Sequence, residues 1–110
     1  MTKAVVQRPQ ADADIDGIFE FLSRRSRVAA LRFLDTIETA YAMLAEHPAS
    51  GSTRHAEFCP ELPYPLRFHC LSGVPRILIY YMDRPVAVEV IRVWDAARGL
   101  DALLEQEGRS

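Results

Sequence analysis

The stretch from Arg76 to Met82 restricts the fold of this chain more than any other. After Arg76 it reads Ile-Leu-Ile-Tyr-Tyr-Met, so its residues are apolar at odd and even positions alike. Successive side chains of a strand point to opposite faces of a sheet. The run therefore predicts a central strand that is covered on both faces, and the fold must place other elements above and below it.

Three further strands are predicted around this one. Leu66–Leu71 alternates in polarity and is followed by a Ser-Gly turn, while the β-branched run Val86–Val93 follows the turn Asp83-Arg84-Pro85. Ala4–Arg8 is a short first strand that stops at Pro9. We expect an antiparallel sheet made of this N-terminal strand and a three-strand C-terminal meander.

Two helices are predicted between the first and second strands. Ile15, Ile18, Phe19 and Leu22 recur with helical spacing, and Ser26 is a suitable N-cap for a second helix that His47-Pro48 ends. The short connection predicts an antiparallel helical hairpin packed on the sheet, and the pattern of Ala96–Glu107 predicts a short C-terminal helix. The fold class is thus α+β, with a core that should include Phe33, Leu34, Ile37, Tyr41, Leu78 and Val90.

Length and composition indicate an ordinary globular protein. The 110 residues predict a single domain spanning residues 1–110, and 49% hydrophobic with 25% charged residues is not a disordered balance. No apolar run approaches the roughly 20 residues of a membrane span, and the start lacks a signal-peptide core, so we expect a cytoplasmic protein. Cys59 and Cys70 form no metal-ligand spacing, and Cys70 is predicted to be a buried apolar residue.

The charge distribution favours a protein partner over bare nucleic acid. A net charge of −2 argues against nucleic-acid binding by bulk electrostatics, and we expect no direct sequence-specific binding. The segment 62–98 nevertheless holds five arginines against three acids. Arginine forks suit bidentate contacts with carboxylates or phosphates, although these arginines could equally solvate the sheet or pair with Glu89 and Asp95.

No known cofactor or metal motif occurs, and one set of residues has to be weighed as catalytic. Metal-free RNA cleavage needs a base, an acid and cations for the charged phosphorane. The strands carry residues of those types, namely Arg67, His69, Arg76, Tyr81 and Arg92. Simple alternation does not bring them to one face, because Arg76 shares its parity with Tyr80 and not with Tyr81. A non-enzymatic function is therefore favoured; if the chain is an enzyme, it is a metal-independent endoribonuclease.

The order of several loose motifs resembles a known family. The segments that carry the resemblance are Pro9–Ile18, Ala30–Glu38, His47–Gly51, Leu66-Arg67, Ile79–Tyr81 and Ile91–Arg98. From about Val5 to Leu104 their order resembles the ParE/RelE superfamily of bacterial toxins, and its ParE branch in particular. Members usually carry a histidine where this chain has Asp95, and an acid where it has Gly99.

The resemblance implies the toxin of a type II toxin–antitoxin pair that arrests growth by inhibiting DNA gyrase through protein contact. It implies neutralisation by a ParD-like antitoxin in a hetero-oligomer of two chains of each kind or more. Residues expected to contact the antitoxin or target are Arg67, Arg76, Arg92, Trp94 and Arg98. The alternatives are a ribosome-dependent mRNA endoribonuclease of RelE type, for which an acidic chain is unusual, and a non-toxic member that only binds its antitoxin.

Overall fold

The computed structural model describes residues 2–99 together with 102 and 103. It confirms the α+β class and the predicted order of strands and helices. The elements are β1 (Ala4–Gln7), α1 (Pro9–Ser23), α2 (Arg27–Glu46), β2 (Leu66–Leu71), β3 (Val74–Asp83) and β4 (Ala87–Asp95), with short 3-10 turns at Pro48–Ser50, Ala56–Phe58 and Ala96–Arg98.

The helix ends follow from local chemistry. Pro9 is the first residue of α1, where its missing N–H costs no hydrogen bond. Ser26 is the N-cap of α2, since its Oγ accepts a hydrogen bond of 3.2 Å from the Ala29 N–H. The helix ends at His47 because Pro48 cannot follow a helical residue without a steric clash. These caps confirm the predicted N-cap at Ser26 and the predicted end of α2 before Pro48.

The sheet is mixed, and the expectation of a purely antiparallel sheet is wrong in this respect. Its strand order is β1-β4-β3-β2, and β1 runs parallel to β4 while the other pairs are antiparallel. The physical reason lies in the long connection from residue 47 to residue 65. A connection of that length can return the chain to either end of the sheet, so local sequence does not determine the direction of β1.

A bulge in β4 changes which side chains share a face. Tyr80 is opposite Arg92 while Tyr81 is opposite Val90, which leaves one extra residue in β4. As a result Val90 and Val93 pack in the same cluster although they are three positions apart. Simple alternation along β4 therefore fails beyond Val90.

The two faces of the sheet have different covers. The first, which we call the helix face, packs Leu71, Ile77, Ile79, Tyr81, Val88, Val90 and Val93 against α1 and α2. The second, which we call the loop face, packs Leu66, Leu78, Tyr80, Met82, Ile91 and Trp94 against Cys59, Leu62, Tyr64 and Leu103. The predicted coverage of β3 on both faces is confirmed.

Four expectations about burial need correction or refinement. Leu34 is 37% exposed on α2, and Leu78 lies in the loop-face cluster rather than with the helices. Tyr41 is only partly buried beside the helix-face cluster, whereas Phe33, Ile37 and Val90 are buried in it. Cys70 is exposed while Cys59 is buried, because the even positions of β2 face the loop layer and Cys70 lies near its end.

The prediction of a C-terminal helix from Ala96 is wrong for its first residues, which form a 3-10 turn and no α-helix. Ala96–Arg98 makes that turn, and Gly99 ends it with a φ of 84°, a conformation that favours glycine. Residues 102 and 103 are helical, and the remainder of the predicted helix lies outside the described residues. Within the described part of the chain, none of the helices is long and apolar enough to cross a membrane.

Candidate functional site

Arg92 and Asp14 form a buried ion pair that joins α1 to β4. The guanidinium donates from Nε to Oδ2 at 2.7 Å and from its second terminal nitrogen to Oδ1 at 2.9 Å, a bidentate fork. The two side chains are 7% and 8% exposed. Asp14 Oδ2 also accepts the backbone N–H of Val93 at 3.0 Å. Because β1 ends before this point, the carboxylate replaces the missing strand as the partner of β4.

Trp94 connects this pair to the segment after β4. Its side chain is fully buried, and its indole N–H donates to the Gly99 carbonyl at 3.1 Å. The Arg92 guanidinium lies 5.0 Å from the indole ring centroid and that of Arg98 lies 4.2 Å away, both in the range of cation–π attraction. Trp94 therefore positions Arg98 at the surface and has no exposed area of its own.

An open groove of about 780 Å³ lies beside the helical hairpin, between it and the end of the sheet that carries the β2–β3 turn. We call this the hairpin groove. Its apolar lining comes from Ile18, Phe21, Leu22, Phe33, Val74, Ile77 and Val93, and its charged lining from Asp14, Asp95, Arg32, Arg76 and Arg98. Phe21 remains 48% exposed there. A volume of this size accommodates a drug-sized ligand or several side chains of a bound peptide.

The charges around the hairpin groove leave a basic excess. Asp14 is committed to Arg92, and Asp95 lies 3.5 Å from Arg76 while also accepting the Ala97 N–H. Within residues 2–99 and 102–103, neither Arg32 nor Arg98 is in an ion pair with a carboxylate. The groove thus combines an apolar lining with two guanidinium groups that can donate hydrogen bonds to the carboxylates of an acidic partner.

Arg67 and Tyr81 are occupied in holding the turn after α2. Tyr81 donates its hydroxyl hydrogen to the Pro48 carbonyl at 2.8 Å and accepts the Gly51 N–H at 2.9 Å. Arg67 donates to the carbonyls of Ala49 and Gly51, each at 3.0 Å. A Cβ at Gly51 would collide with the Tyr81 side chain, so only glycine allows this approach. Burial raises the pKa of Tyr81 above its usual value.

The two histidines near the sheet differ in their surroundings. His69 on β2 is partly buried, and burial lowers its pKa. His55 in the connection packs on the Phe68 ring at 4.5 Å and shares a hydrogen bond of 2.9 Å with the Tyr80 hydroxyl. Burial and then the neighbouring Arg54 lower the pKa of His55, while burial first and then the two cysteines raise the pKa of Tyr80 to about 12. Sequence reasoning missed His55, since no pattern marks the loop that carries it.

Three of the five residues weighed for RNA cleavage share one face of β2 and β3, because Arg67 is the register partner of Tyr81 and His69 lies two positions from Arg67. The other two lie elsewhere. Arg67 and Tyr81 meet at the turn after α2, Arg92 is paired with Asp14, and Arg76 lies at the hairpin groove. Of the residues predicted to contact a partner, Arg76 and Arg98 line the groove, whereas Trp94 and Arg92 are buried. Sequence reasoning missed Arg32 and Phe21, which read simply as exposed positions of a helical hairpin. In the part of the chain that the structure describes, no cluster of three or more His, Cys, Asp or Glu residues could hold a metal ion.

The sequence and the fold of this chain were compared with those of known proteins. The chain matches a family model described as the ParE toxin of the type II toxin–antitoxin system parDE, over residues 5–100. Its fold is similar to a solved structure of the chromosomal ParDE toxin–antitoxin system from P. aeruginosa, with a TM-score of 0.64 at 17% identity, covering 84% of this chain and 94% of that one. No curated protein matches the sequence significantly.

The fold and the groove define a small α+β protein with a helical hairpin packed on a mixed four-stranded sheet and an open groove beside the hairpin. The family match begins inside β1 and includes the other five principal elements in full. The chain belongs to the ParE toxin family of type II toxin–antitoxin systems.

Proposed function

We propose that this chain is a growth-arresting toxin that inhibits DNA gyrase by protein contact and is neutralised by a ParD-like antitoxin bound in the hairpin groove. Family membership supports the toxin role. The observation that supports antitoxin binding is the hairpin groove, whose apolar lining lies beside Arg32 and Arg98. Its action belongs in the cytoplasm, where gyrase is found.

The lining of the hairpin groove determines what kind of segment fits it. Phe21 and Val74 are half-exposed apolar side chains that a partner would remove from water, a gain of roughly 25 cal/mol for each Å² of apolar surface buried. A segment that folds on binding, with apolar residues on one side and acids on the other, satisfies both parts of the lining. Its carboxylates would form charge-assisted hydrogen bonds with the guanidinium groups.

The contacts of each arginine within the fold indicate which of them are available to bind the antitoxin. Arg92 is buried against Asp14, and Arg67 is bonded to the turn after α2. We therefore assign antitoxin contact to Arg98 and Arg76, with Arg32 added, and we assign the other two arginines to the fold. Gyrase would meet a surface distinct from the occupied groove or compete with the antitoxin for it.

The antitoxin arm of the proposal is tested by titrating the purified chain with a ParD-like antitoxin, sought first in the reading frame adjacent to its own. Arg98→Glu and Arg32→Glu should each raise the dissociation constant at least about tenfold, because a carboxylate of the partner then meets a like charge. Arg24→Glu is the matched control: Arg24 is exposed at the end of α1 and does not line the groove. Equal effects from all three variants would contradict binding in the groove.

The target arm is tested by two activity measurements on the same preparation. The chain should block gyrase supercoiling or stabilise its cleaved DNA complex, while mRNA on translating ribosomes stays intact. His69→Ala and Tyr81→Phe should retain toxicity provided that they fold, since Tyr81 is bonded to the turn after α2 and the proposed mechanism is contact with gyrase and not cleavage of RNA. Codon-positioned mRNA cleavage that disappears with His69→Ala would establish the endoribonuclease instead. Antitoxin binding without either activity would establish a non-toxic member.

A further inference from the structure

One flank of α2 exposes apolar residues that the fold does not use. Val28 is 60% exposed, Leu31 is 46% exposed and Leu34 is 37% exposed. Their spacing of three residues places them along the same side of the helix. Leucines at a regular helical spacing ordinarily pack against another element, and here no element of the described chain covers them. The flank is therefore an unpartnered apolar surface.

Charged residues of opposite sign lie at the two ends of this surface. Arg27 precedes the leucines and Glu38 follows them, and both are exposed. The positions 27, 31, 34 and 38 have the alternating spacing of four and three that defines the contact seam of a coiled coil. We call these four residues the α2 stripe. Within the described residues, neither Arg27 nor Glu38 takes part in a salt bridge.

The order of residues along the α2 stripe is self-complementary in one orientation. When two copies of α2 pack antiparallel about a two-fold axis, Leu31 of each meets Leu34 of the other. The same register places Arg27 opposite the other copy's Glu38, and the symmetry repeats that pair. A parallel arrangement would instead place Arg27 against Arg27 and Glu38 against Glu38. Charge complementarity therefore favours a second copy of this chain as the partner of the α2 stripe, with the two α2 helices antiparallel.

We propose that the α2 stripe is the interface of a two-fold symmetric, antiparallel dimer of this chain. The stripe covers eleven residue steps of helix, or about 16 Å, so the buried area is small and the dimer should be concentration-dependent. The hairpin groove draws on other positions of α2, namely Ala29, Arg32, Phe33 and Thr36. At about 100° per residue the centre of that set lies on the far side of the helix from the stripe. Dimerisation thus leaves the groove open and does not depend on the proposed function.

The test is sedimentation equilibrium of the full chain over a concentration series, with circular dichroism as the check of folding. The wild-type chain should show a monomer–dimer equilibrium. Arg27→Glu leaves acids at both ends of the stripe, and Glu38→Arg leaves bases at both ends. Each variant alone should dimerise at least about tenfold more weakly, because the substitution places like charges opposite one another at two places in the interface.

Mixing the two variants decides the question. An equimolar mixture of Arg27→Glu and Glu38→Arg restores both opposite-charge pairs, so it should form a heterodimer close to wild-type strength. A mixture of Thr39→Glu and Thr39→Arg is the matched control, because Thr39 is exposed on α2 outside the stripe; these variants should behave as wild type alone and mixed. A wild-type chain that stays monomeric throughout, or a dimer that neither charge reversal weakens, would overturn the proposal.

Discussion

The helix face and the loop face of the sheet show two ways of covering a strand. On the helix face, periodic sequence builds α1 and α2, and their apolar sides meet the strands as regular layers. On the loop face, the connection from residue 53 to residue 65 supplies Cys59, Leu62 and Tyr64 without any period. Two long helices form the first cover, whereas the second has only local turns, among them the 3-10 turn Ala56–Phe58. The comparison shows that a sheet face can be buried by apolar side chains from a connection without long helices or strands.

The two faces also differ in how they use polar groups. The helical layer is tied to the sheet by the buried ion pair of Asp14 on α1 with Arg92 on β4, and by the turn after α2 that Tyr81 and Arg67 hold. The loop face uses the bond between His55 and the Tyr80 hydroxyl and the contact of His55 with Phe68. The stability of the fold should therefore depend more strongly on single positions of the helix face, and the following predictions test that difference.

Truncation of the helix-face core should have the largest effect. Phe33 is 3% exposed while its neighbour Leu34 is 37% exposed. Phe33→Ala should lower the free energy of unfolding by about 3 to 5 kcal/mol, since it removes buried area and leaves a cavity. Leu34→Ala should cost less than about 1 kcal/mol. Urea denaturation followed by circular dichroism measures both, and similar losses would mean that α2 packs on a different face.

Loss of the carboxylate at Asp14 should rank next. Asp14→Ala leaves the Arg92 guanidinium buried without its main counter-ion and removes the acceptor of the Val93 N–H, which should cost about 3 kcal/mol. Asp16→Ala, two positions along the same helix, changes an exposed acid and should stay within about 0.5 kcal/mol. A similar cost for both would indicate a general effect of charge on α1 instead of a specific ion pair.

The anchored turn after α2 predicts an intermediate effect. Gly51→Ala should destabilise the protein by about 1 to 3 kcal/mol, because the new methyl group must displace the Tyr81 ring or the turn. Tyr81→Phe removes the hydroxyl that lies nearest to this position and both of its hydrogen bonds. The double variant should therefore be less destabilised than the sum of the single variants. Strict additivity in thermal or urea unfolding would show that the two positions do not contact each other.

The smallest expected effect is a dependence of stability on pH. Folding holds the pKa of His55 and of His69 below the usual value of 6.5. Between each folded-state pKa and 6.5, the unfolded chain therefore binds more protons than the folded chain. Stability from these groups is then fully present above about pH 6.5 and is lost as the pH falls through the folded-state values. His55→Gln and His69→Gln should each reduce the change of the urea midpoint with pH between pH 5 and 7.5. An unchanged slope in both would contradict the lowered pKa values.

Much of the fold was predictable because it rests on short-range rules. The cap at Ser26, the helix end before Pro48 and the two-sided burial of β3 each follow from residues within a few positions of one another. The candidate site was less predictable. Arg98 and Arg76 were expected at a partner surface and do line the hairpin groove, but their role there remains a proposal. Arg32 and Phe21 were missed because an exposed helical position carries no sign of what lies across a groove.

The sequence by itself determined the order of helices and strands and the ends of α2, since propensity, capping and hydrophobic period act within a few residues. Only the tertiary structure decided the direction of β1, the extra residue in β4 and whether each arginine is buried in an ion pair or exposed at the surface. Those features depend on contacts between residues far apart in the chain: Asp14 reaches Arg92 across 78 positions, and Lys3 reaches Asp83 across 80. An arginine looks the same in sequence whether a carboxylate from another element buries it or leaves it open to a partner. That difference is set by which element packs beside it, which no local pattern records.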